Sequence, residues 1–269
     1  MAFSKMIQSI PTYSSPNAAS QSSVFINTRE GKRVIRFLPD PINPAEPMVG
    51  PTVLSVWMPV SKNNQLVQRR IFVDSLTRGV LPSKVNEAVR CRFFMNVLDK
   101  SMVVKLENGS VVYANNQNQF ITSVDGQTKT LTDYRPERHM AIQVLEGSVS
   151  SGEGRNGMLN DIEELSKTIF DDETNKLVPI TAIDIEIITR GKEIKTTRSV
   201  HVGVNRDPIP EHLLSAPRFD LAKFARPFPM DAVKDLVKGA DYAEVCKAYN
   251  IEVMPKLVEL PKEPTLFDQ

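Results

Sequence analysis

Arginines and aromatic rings alternate with apolar residues in the stretch RCRFFMNVLDKS, residues 90–101. Successive side chains of a β-strand point to opposite faces. One predicted face is an ordinary core face, with Cys91, Phe93, Met95 and Val97. The other face carries Arg90, Arg92, Phe94 and Asn96. Guanidinium groups bind phosphates and aromatic rings stack on unpaired bases, so the second face has the chemistry of a surface that binds single-stranded nucleic acid.

The same residue types recur on other predicted strands and loops in the first half of the chain. The further candidates for this surface are Arg36, Trp57, Arg69, Arg70, Phe72, Arg78, Lys84, Lys100, Lys105, Tyr113, Tyr134, Arg135 and Arg138. For any single aromatic residue on a strand, packing in the core is the commoner role. The stems of arginines also pack at the edges of cores. Recurrence across several strands is the observation that favours a binding groove.

Charge is distributed unevenly along the 269 residues, although the formal net charge is only +1. Residues 1–140 hold 17 Lys and Arg against 10 Asp and Glu, a net charge of +7, whereas the remainder holds 16 against 22, a net charge of −6. A basic half predicts a surface for a polyanion. Uneven scatter of solvated charges would produce the same division.

Two patterns resemble catalytic motifs, and both fail on their context. Gly152, Gly154 and Gly157 match the dinucleotide fingerprint G-x-G-x-x-G, but the first of them lies seven positions after the end of the preceding apolar run and no βαβ pattern surrounds them. The acidic runs 163–164 and 171–173 have no converging histidine or second acidic motif. We therefore predict no catalytic residues and a protein that is not an enzyme.

Cysteine and histidine are too few and too scattered for a structural metal site. The two cysteines, Cys91 and Cys246, lie far apart, and His139, His201 and His212 show no ligand spacing. The sequence predicts no metal, no cofactor and a reducing compartment. It contains no apolar run of the roughly 18 residues that a membrane span needs, and its first residues lack the apolar core of a signal peptide. A cytoplasmic protein without membrane contact is expected.

Composition divides the chain into four predicted segments. Residues 1–27 are expected to form a flexible leader, 28–207 a β-rich core, 208–250 a helical segment and 251–269 a short acidic tail. Short strands without long intervening helices favour an antiparallel arrangement over a parallel α/β sheet. The predicted fold class is α+β, mainly β, with an OB-fold-like antiparallel barrel followed by a helical carboxyl-terminal part.

Turn residues and periodicity also predict individual elements. Hairpins are expected around SKNNQL at 61–66, around Asn108-Gly109 and at Asp125-Gly126. Short helices are expected at 82–90 and at 158–170. Near the end of the β-rich region, strict alternation predicts a buried ladder of Ile183, Ile185 and Ile187 facing Val200, Val202 and Val204.

Three stretches together resemble the single-stranded DNA-binding, or helix-destabilising, proteins of T-even-type bacteriophages. KRVIRFLPDP at 32–41 resembles the first strand of that family's DNA-binding core. RCRFFMNVLDKS with VVKLENGSVVY resembles its next block, and the region from 159 to 202 resembles its later strands. The resemblance covers about residues 30–205 in patches. It implies an OB-fold whose groove binds single-stranded DNA, with Arg36, Arg90, Arg92, Phe94 and Asn96 in or near that groove.

Two features depart from the T-even-type pattern. The Cys and His ligands of its zinc subdomain are missing, which suggests a zinc-free variant. The long acidic tail is also missing and is replaced by helices and the short ELPKEPTLFDQ, residues 259–269. The resemblance implies that the carboxyl-terminal end recruits partners, and Leu266, Phe267 and Asp268 are the predicted contacts. A frayed terminus is the alternative for these residues.

The resulting functional hypothesis is a sequence-independent protein that coats and protects single-stranded DNA in phage replication, recombination and repair, in the cytoplasm of the host. Its expected partners are single-stranded DNA and replication and recombination proteins, with host RNA polymerase as an additional partner and cooperative self-association on DNA. Two other classes of function fit the same sequence. One is a phage virion or assembly protein, and the other is a transcription regulator that acts through host RNA polymerase.

Overall fold

A computed structural model describes residues 24–41, 43–48, 50–124, 127–149, 157–191 and 197–260. Several sequence predictions lie outside the described residues: most of the leader, the Asp125-Gly126 turn, Gly152 and Gly154, and the tail residues Leu266, Phe267 and Asp268. The fold is α+β, with mostly antiparallel sheets and helices towards the carboxyl-terminal end.

The strands are β1 (Gly31–Phe37), β2 (Val53–Lys62), β3 (Gln65–Val73), β4 (Arg90–Asp99), β5 (Met102–Lys105), β6 (Val111–Tyr113), β7 (Ile121–Val124), β8 (Gln127–Thr130), β9 (Glu137–Arg138), β10 (Ala141–Ser148), β11 (Asp184–Arg190), β12 (Thr197–Val202), β13 (Arg218–Phe219) and β14 (Leu257–Val258). The α-helices are α1 (Ser83–Glu87), α2 (Met158–Ser166), α3 (Glu211–Leu214), α4 (Leu221–Phe224), α5 (Met230–Val237) and α6 (Tyr242–Ala248). Single 3₁₀ turns occur at Thr77–Val80 and Ile180–Ala182. No described helix has both the length and the apolar character needed to cross a membrane.

Seven strands form the main sheet in the order β12-β11-β1-β4-β2-β3, with β10 also paired to β4. The central strand β4 is shared by three antiparallel neighbours. β2 pairs with its amino-terminal end and β1 with its carboxyl-terminal end, while β10 covers the opposite edge along nearly the whole strand. The described strands of this sheet do not close into a barrel, so the structure establishes the antiparallel α+β class and not the OB-fold.

The hairpins and short helices with strong local signals form as predicted. The β2–β3 hairpin turns at Asn63 and Asn64, whose φ angles of 50° and 60° suit the tight turns that favour asparagine. Gly109, with φ of 78°, lies in the turn between β5 and β6. Helices α1 and α2 fall within the two segments expected to be helical.

Each face of β4 packs against its own hydrophobic core. Phe93, Met95 and Val97 belong to a first core, built with β1, β11 and α2. Phe94 belongs to a second core, to which β2, β3 and helices α4, α5 and α6 contribute. The predicted alternation along β4 is therefore right. The prediction that its second face is exposed is wrong for Phe94 and Asn96, which the carboxyl-terminal segments cover, whereas Arg90 is exposed and Arg92 is about one-third exposed.

Four aromatic rings meet at the centre of the second core. The Phe94 ring lies edge-on to the rings of Phe72 and Phe224, with centroids 5.7 and 5.4 Å away. Phe25 packs against Phe94 and Phe224 at 6.4 and 5.7 Å. Edge-to-face pairs of this kind stabilise a core beyond the area they bury. This cluster fixes the carboxyl-terminal helices to the sheet.

The isoleucine ladder is only partly as predicted. The pairing is right, because Ile185 and Ile187 lie opposite Val202 and Val200, and the isoleucines are fully buried. Val202, however, is exposed, and Val204 is 98% exposed. β12 lies at the edge of the sheet, where alternation alone does not guarantee a covering layer.

Candidate nucleic-acid interface

Five side chains predicted to bind DNA are buried in the fold. They are Arg36, Phe72, Phe94, Asn96 and Lys100. A side chain with no more than a few per cent of its surface exposed cannot stack on a base or contact a backbone phosphate. For these five the structure gives packing roles instead.

Arg36 and Lys100 neutralise one buried carboxylate. Arg36 Nε and Nη2 both lie 2.7 Å from Asp184 Oδ1, and Lys100 Nζ lies 2.8 Å from the same oxygen. Arg36 also donates to the backbone carbonyls of Asn205 and Asp207. Because a buried charge needs a partner, these two cations serve the stability of the fold.

Asn96 holds the covering segment in place. Its side-chain Nδ2 donates to the Phe219 carbonyl at 3.1 Å, and the Phe219 N–H donates to Asn96 Oδ1 at 3.0 Å. This pair of hydrogen bonds joins β13 to the middle of β4. Phe72 and Phe94 are likewise held by the ring cluster of the second core.

Tyr113 belongs to a buried polar cluster of Arg33, Asp99, Tyr113 and His139. Its hydroxyl donates to Asp99 Oδ2 at 2.8 Å, and the Arg33 guanidinium lies over its ring at 4.2 Å. Burial, together with the Asp99 carboxylate, raises the pKa of Tyr113. Unlike an open surface ring, Tyr113 is partly buried and its hydroxyl is tied to the buried Asp99, which argues against the predicted contact with a base.

His139 closes this cluster and makes stability depend on pH. Its ring lies edge-on to Tyr113 at 5.9 Å, and neither buried ring nitrogen has a hydrogen-bond partner among the described residues. Burial lowers the pKa of His139 below its ordinary value of 6.5. Below about pH 6.5 the unfolded chain takes up a proton that the folded protein does not. The stability of the folded state therefore decreases as the pH is lowered.

His139→Gln is expected to flatten that dependence. Wild-type protein should lose unfolding free energy between about pH 7 and 5 through this group. The variant should lose less over the same interval, measured by urea unfolding at several pH values. His212→Gln is the control because His212 is exposed. Equal slopes for wild type and His139→Gln would contradict the assignment.

An exposed tryptophan and several arginines remain together at the amino-terminal end of β4. Trp57 is 52% exposed, and the Arg70 guanidinium, on the strand opposite, lies 5.3 Å from the centre of its ring. Arg70 Nη2 forms an ion pair with Glu146 Oε2 at 2.8 Å. Arg92 Nε lies 3.9 Å from the other carboxylate oxygen. These side chains come from β2, β3, β4 and β10.

Arg198 on β12 completes this group, and the sequence did not single it out. Its charge interacts with both Arg92 and Glu146, and burial lowers its pKa. Nη2 donates to the Thr28 carbonyl at 3.3 Å, whereas the buried Nε has no partner among the described residues. The one signal in the sequence was that Arg198 lies two residues before Val200 and therefore on the same face of the predicted strand. We call Trp57, Arg70, Arg92, Arg198 and Glu146 the arginine–tryptophan site.

Three further predicted cations lie near the amino-terminal end of β4. Arg90 is exposed and donates to the carbonyls of Glu87 and Val89 after helix α1. Lys84 is exposed on α1, and Arg78 bonds to the Asn86 side chain of the same helix. They extend the positive surface from the site towards α1.

Arg69 points away from this surface. It is adjacent to Arg70 on β3, so the two side chains leave opposite faces of the strand. Its guanidinium lies 6.0 Å from the centre of the Tyr242 ring of helix α6. The structure therefore separates Arg69 from the site to which its neighbour belongs.

The remaining predicted residues form a second exposed group, comprising Lys105, Tyr134, Arg135 and Arg138. Lys105 is paired with Glu137 at 2.6 Å, and Arg138 lies on β9, which pairs with β5. β5 follows the carboxyl-terminal end of β4, whereas Arg92 lies near its beginning. At about 3.3 Å per residue the strand alone separates the two groups by more than roughly 20 Å. The predicted set thus falls into two exposed groups and a buried remainder.

The described residues contain no group of three His, Cys, Asp or Glu side chains arranged to hold a metal. Cys91 and Cys246 are both free thiols, and burial raises the pKa of each. Comparison of the chain with protein-family models, curated proteins and solved structures gave no match.

Proposed function

We propose that the protein binds single-stranded DNA without catalysing a reaction, and that the arginine–tryptophan site is where it does so. The observation that carries this proposal is the half-exposed Trp57 ring beside the Arg70 guanidinium, which the Glu146 carboxylate links to Arg92, with Arg198 close enough for its charge to interact with Arg92 and Glu146.

The unmatched donors favour an anionic ligand. A guanidinium is a fork of N–H groups suited to carboxylate and phosphate oxygens. Arg70 and Arg92 share the carboxylate of Glu146, and Arg198 keeps a buried Nε with no partner among the described residues. A backbone phosphate supplies acceptor oxygens for such a cluster.

The indole of Trp57 favours an unpaired base as the neighbouring group. Stacking on a surface ring is worth roughly 1–3 kcal/mol per base and tolerates any sequence. In a duplex, the faces of the bases are already stacked on one another and do not reach a ring on the surface of a sheet. An exposed indole beside arginines therefore favours binding of single strands over duplexes. It also favours binding with little preference for sequence.

The wider biological reading rests on the resemblance to T-even-type DNA-binding proteins. It comprises coating of single-stranded DNA in phage replication, recombination and repair in the host cytoplasm, with replication proteins recruited by the carboxyl-terminal end.

We also propose that the main sheet is a variant of the OB-type barrel. Its support is the central strand β4, which joins β1 and β2 along one edge as a barrel-forming strand would.

Intrinsic fluorescence tests both the ligand and the site, because Trp57 is the only tryptophan in the chain. We expect oligo(dT) to quench this fluorescence at low salt and the affinity to fall as salt rises. Each phosphate neutralised contributes about 0.7 to the slope of log K against log salt. Absence of binding at low salt would contradict the function. Binding without any change in Trp57 fluorescence would place the DNA elsewhere, for example on the group around Arg138.

Trp57→Ala is expected to weaken binding of a labelled oligonucleotide by about 1–3 kcal/mol, roughly five- to 150-fold, measured by anisotropy. Leu66→Ala is the matched control, since Leu66 is similarly exposed on the same hairpin. Arg92→Ala should instead weaken binding to all sequences alike and flatten the salt slope. Equal affinities for Trp57→Ala and Leu66→Ala would show that the ring does not stack.

A further inference from the structure

Glu146 lies in the middle of the arginine–tryptophan site and is its one acidic member. Its Oε2 lies 2.8 Å from Arg70 Nη2, and its Oε1 lies 3.9 Å from Arg92 Nε. The same carboxylate interacts with the charge of Arg198. One anion is therefore paired with two arginines, on a surface where a second anion is the proposed ligand.

A carboxylate presents the same kind of acceptor to a guanidinium as a phosphate does. Both offer two oxygens to the N–H fork at similar distances. The ion pair between Arg70 and Glu146 also fixes the guanidinium that lies over the Trp57 ring. The position of the carboxylate is thus that of a phosphate adjacent to a base stacked on Trp57.

We propose that Glu146 is an internal competitor that occupies a phosphate subsite and is displaced when DNA binds. This inference rests on the proposed function. Glu146 lies on β10, within the main sheet, so only its side chain has to rotate to free Arg70 and Arg92. Its carboxylate remains nearby, and it returns to the arginines when the strand dissociates. The residue therefore limits affinity and speeds release.

The competitor also predicts a smaller salt effect in the wild-type protein. When a phosphate replaces the carboxylate, the arginines exchange one anion for another and the displaced Glu146 attracts a cation. In a variant without this carboxylate, the phosphate neutralises arginines that lack an internal partner. The slope of log K against log salt should then be steeper by about 0.7, the contribution of one phosphate.

Glu146→Gln tests the proposal, with Glu186→Gln as the matched control. Glu186 is also about one-fifth exposed and forms one ion pair, with Lys32 at 2.7 Å, on β11. Both variants change the net charge by the same amount, so the control removes the effect of overall charge. We expect Glu146→Gln to bind oligo(dT) about fivefold more tightly than Glu186→Gln, the upper end of the range for an exposed ion pair. Glu146→Ala should also bind more tightly and serves as a second variant.

The outcomes separate this inference from the function on which it rests. If wild type binds and neither Glu146 variant binds more tightly than the Glu186→Gln control, the competitor proposal is overturned. The DNA-binding function then remains intact. Absence of binding by wild type and by both Glu146 variants would overturn both proposals. Tighter binding with a steeper salt slope supports the competitor. Circular dichroism of each variant establishes that the compared proteins are folded.

Discussion

Asp184→Asn is expected to lower the free energy of unfolding by about 3–5 kcal/mol, the usual cost of removing one partner from a buried ion pair. The amide matches the carboxylate in shape but leaves two buried cations without a counter-charge. Arg36 and Lys100 each lie within 2.8 Å of the same carboxylate oxygen. Neither cation reaches solvent, so water cannot replace the lost partner. Urea unfolding monitored by Trp57 fluorescence measures the change.

Glu186→Gln is the control for this substitution. It lies two residues further along β11, and its ion pair with Lys32 is partly exposed, so the expected change is below about 1 kcal/mol. A similarly small change for Asp184→Asn would contradict the structural role of the pair. It would also reopen the possibility that Arg36 and Lys100 reach a ligand, as the sequence predicted.

Phe94→Ala is expected to cost about 3–5 kcal/mol of unfolding free energy, because it empties the centre of the ring cluster in the second core. The rings of Phe25, Phe72 and Phe224 all pack around this position and cannot all collapse into the space. At temperatures where the variant remains folded, its affinity for oligo(dT) should equal that of wild type. Thermal unfolding and anisotropy measure the two effects separately.

Phe170→Ala provides the comparison, since Phe170 is an exposed phenylalanine whose truncation should change stability by less than about 1 kcal/mol. If Phe94→Ala left stability unchanged but weakened DNA binding, the ring would face the ligand as the sequence interpretation held. The two substitutions therefore distinguish a core phenylalanine from a stacking one.

Local signals were enough to predict several elements of this fold, although not the pair of short strands β13 and β14, which lies in the segments expected to be a helical region and a tail. Asn63 and Asn64 mark the β2–β3 hairpin because asparagine tolerates the positive φ that the turn needs. The alternation of β4 placed Phe93 and Phe94 on opposite faces, and they are. Hairpins and strand faces depend on neighbouring residues, so a single sequence contains the information.

What covers a strand could not be predicted in the same way. Asn96 is buried because β13 bonds to it, and 123 residues separate the two partners. Arg36 is buried because Asp184 neutralises it from 148 residues away. An arginine with a distant carboxylate partner and an arginine that awaits a phosphate look identical in sequence. The exposed Trp57 and its neighbour Arg70 were identified because the hairpin that carries them is local.

The antiparallel pairing of β1 with β11 has a consequence for the order in which the protein assembles. The β1 edge facing β11 stays without that partner until the ribosome has added about 150 more residues, which takes roughly 8–30 s at ordinary translation rates. Until then Ile35 and Phe37 lack the contribution of Ile183, Ile185 and Ile187 to their core. Pairings between such distant segments also slow folding, since a long loop must close before they form. This edge of β1 therefore stays without its partner strand during the interval in which β11 is still to be synthesised.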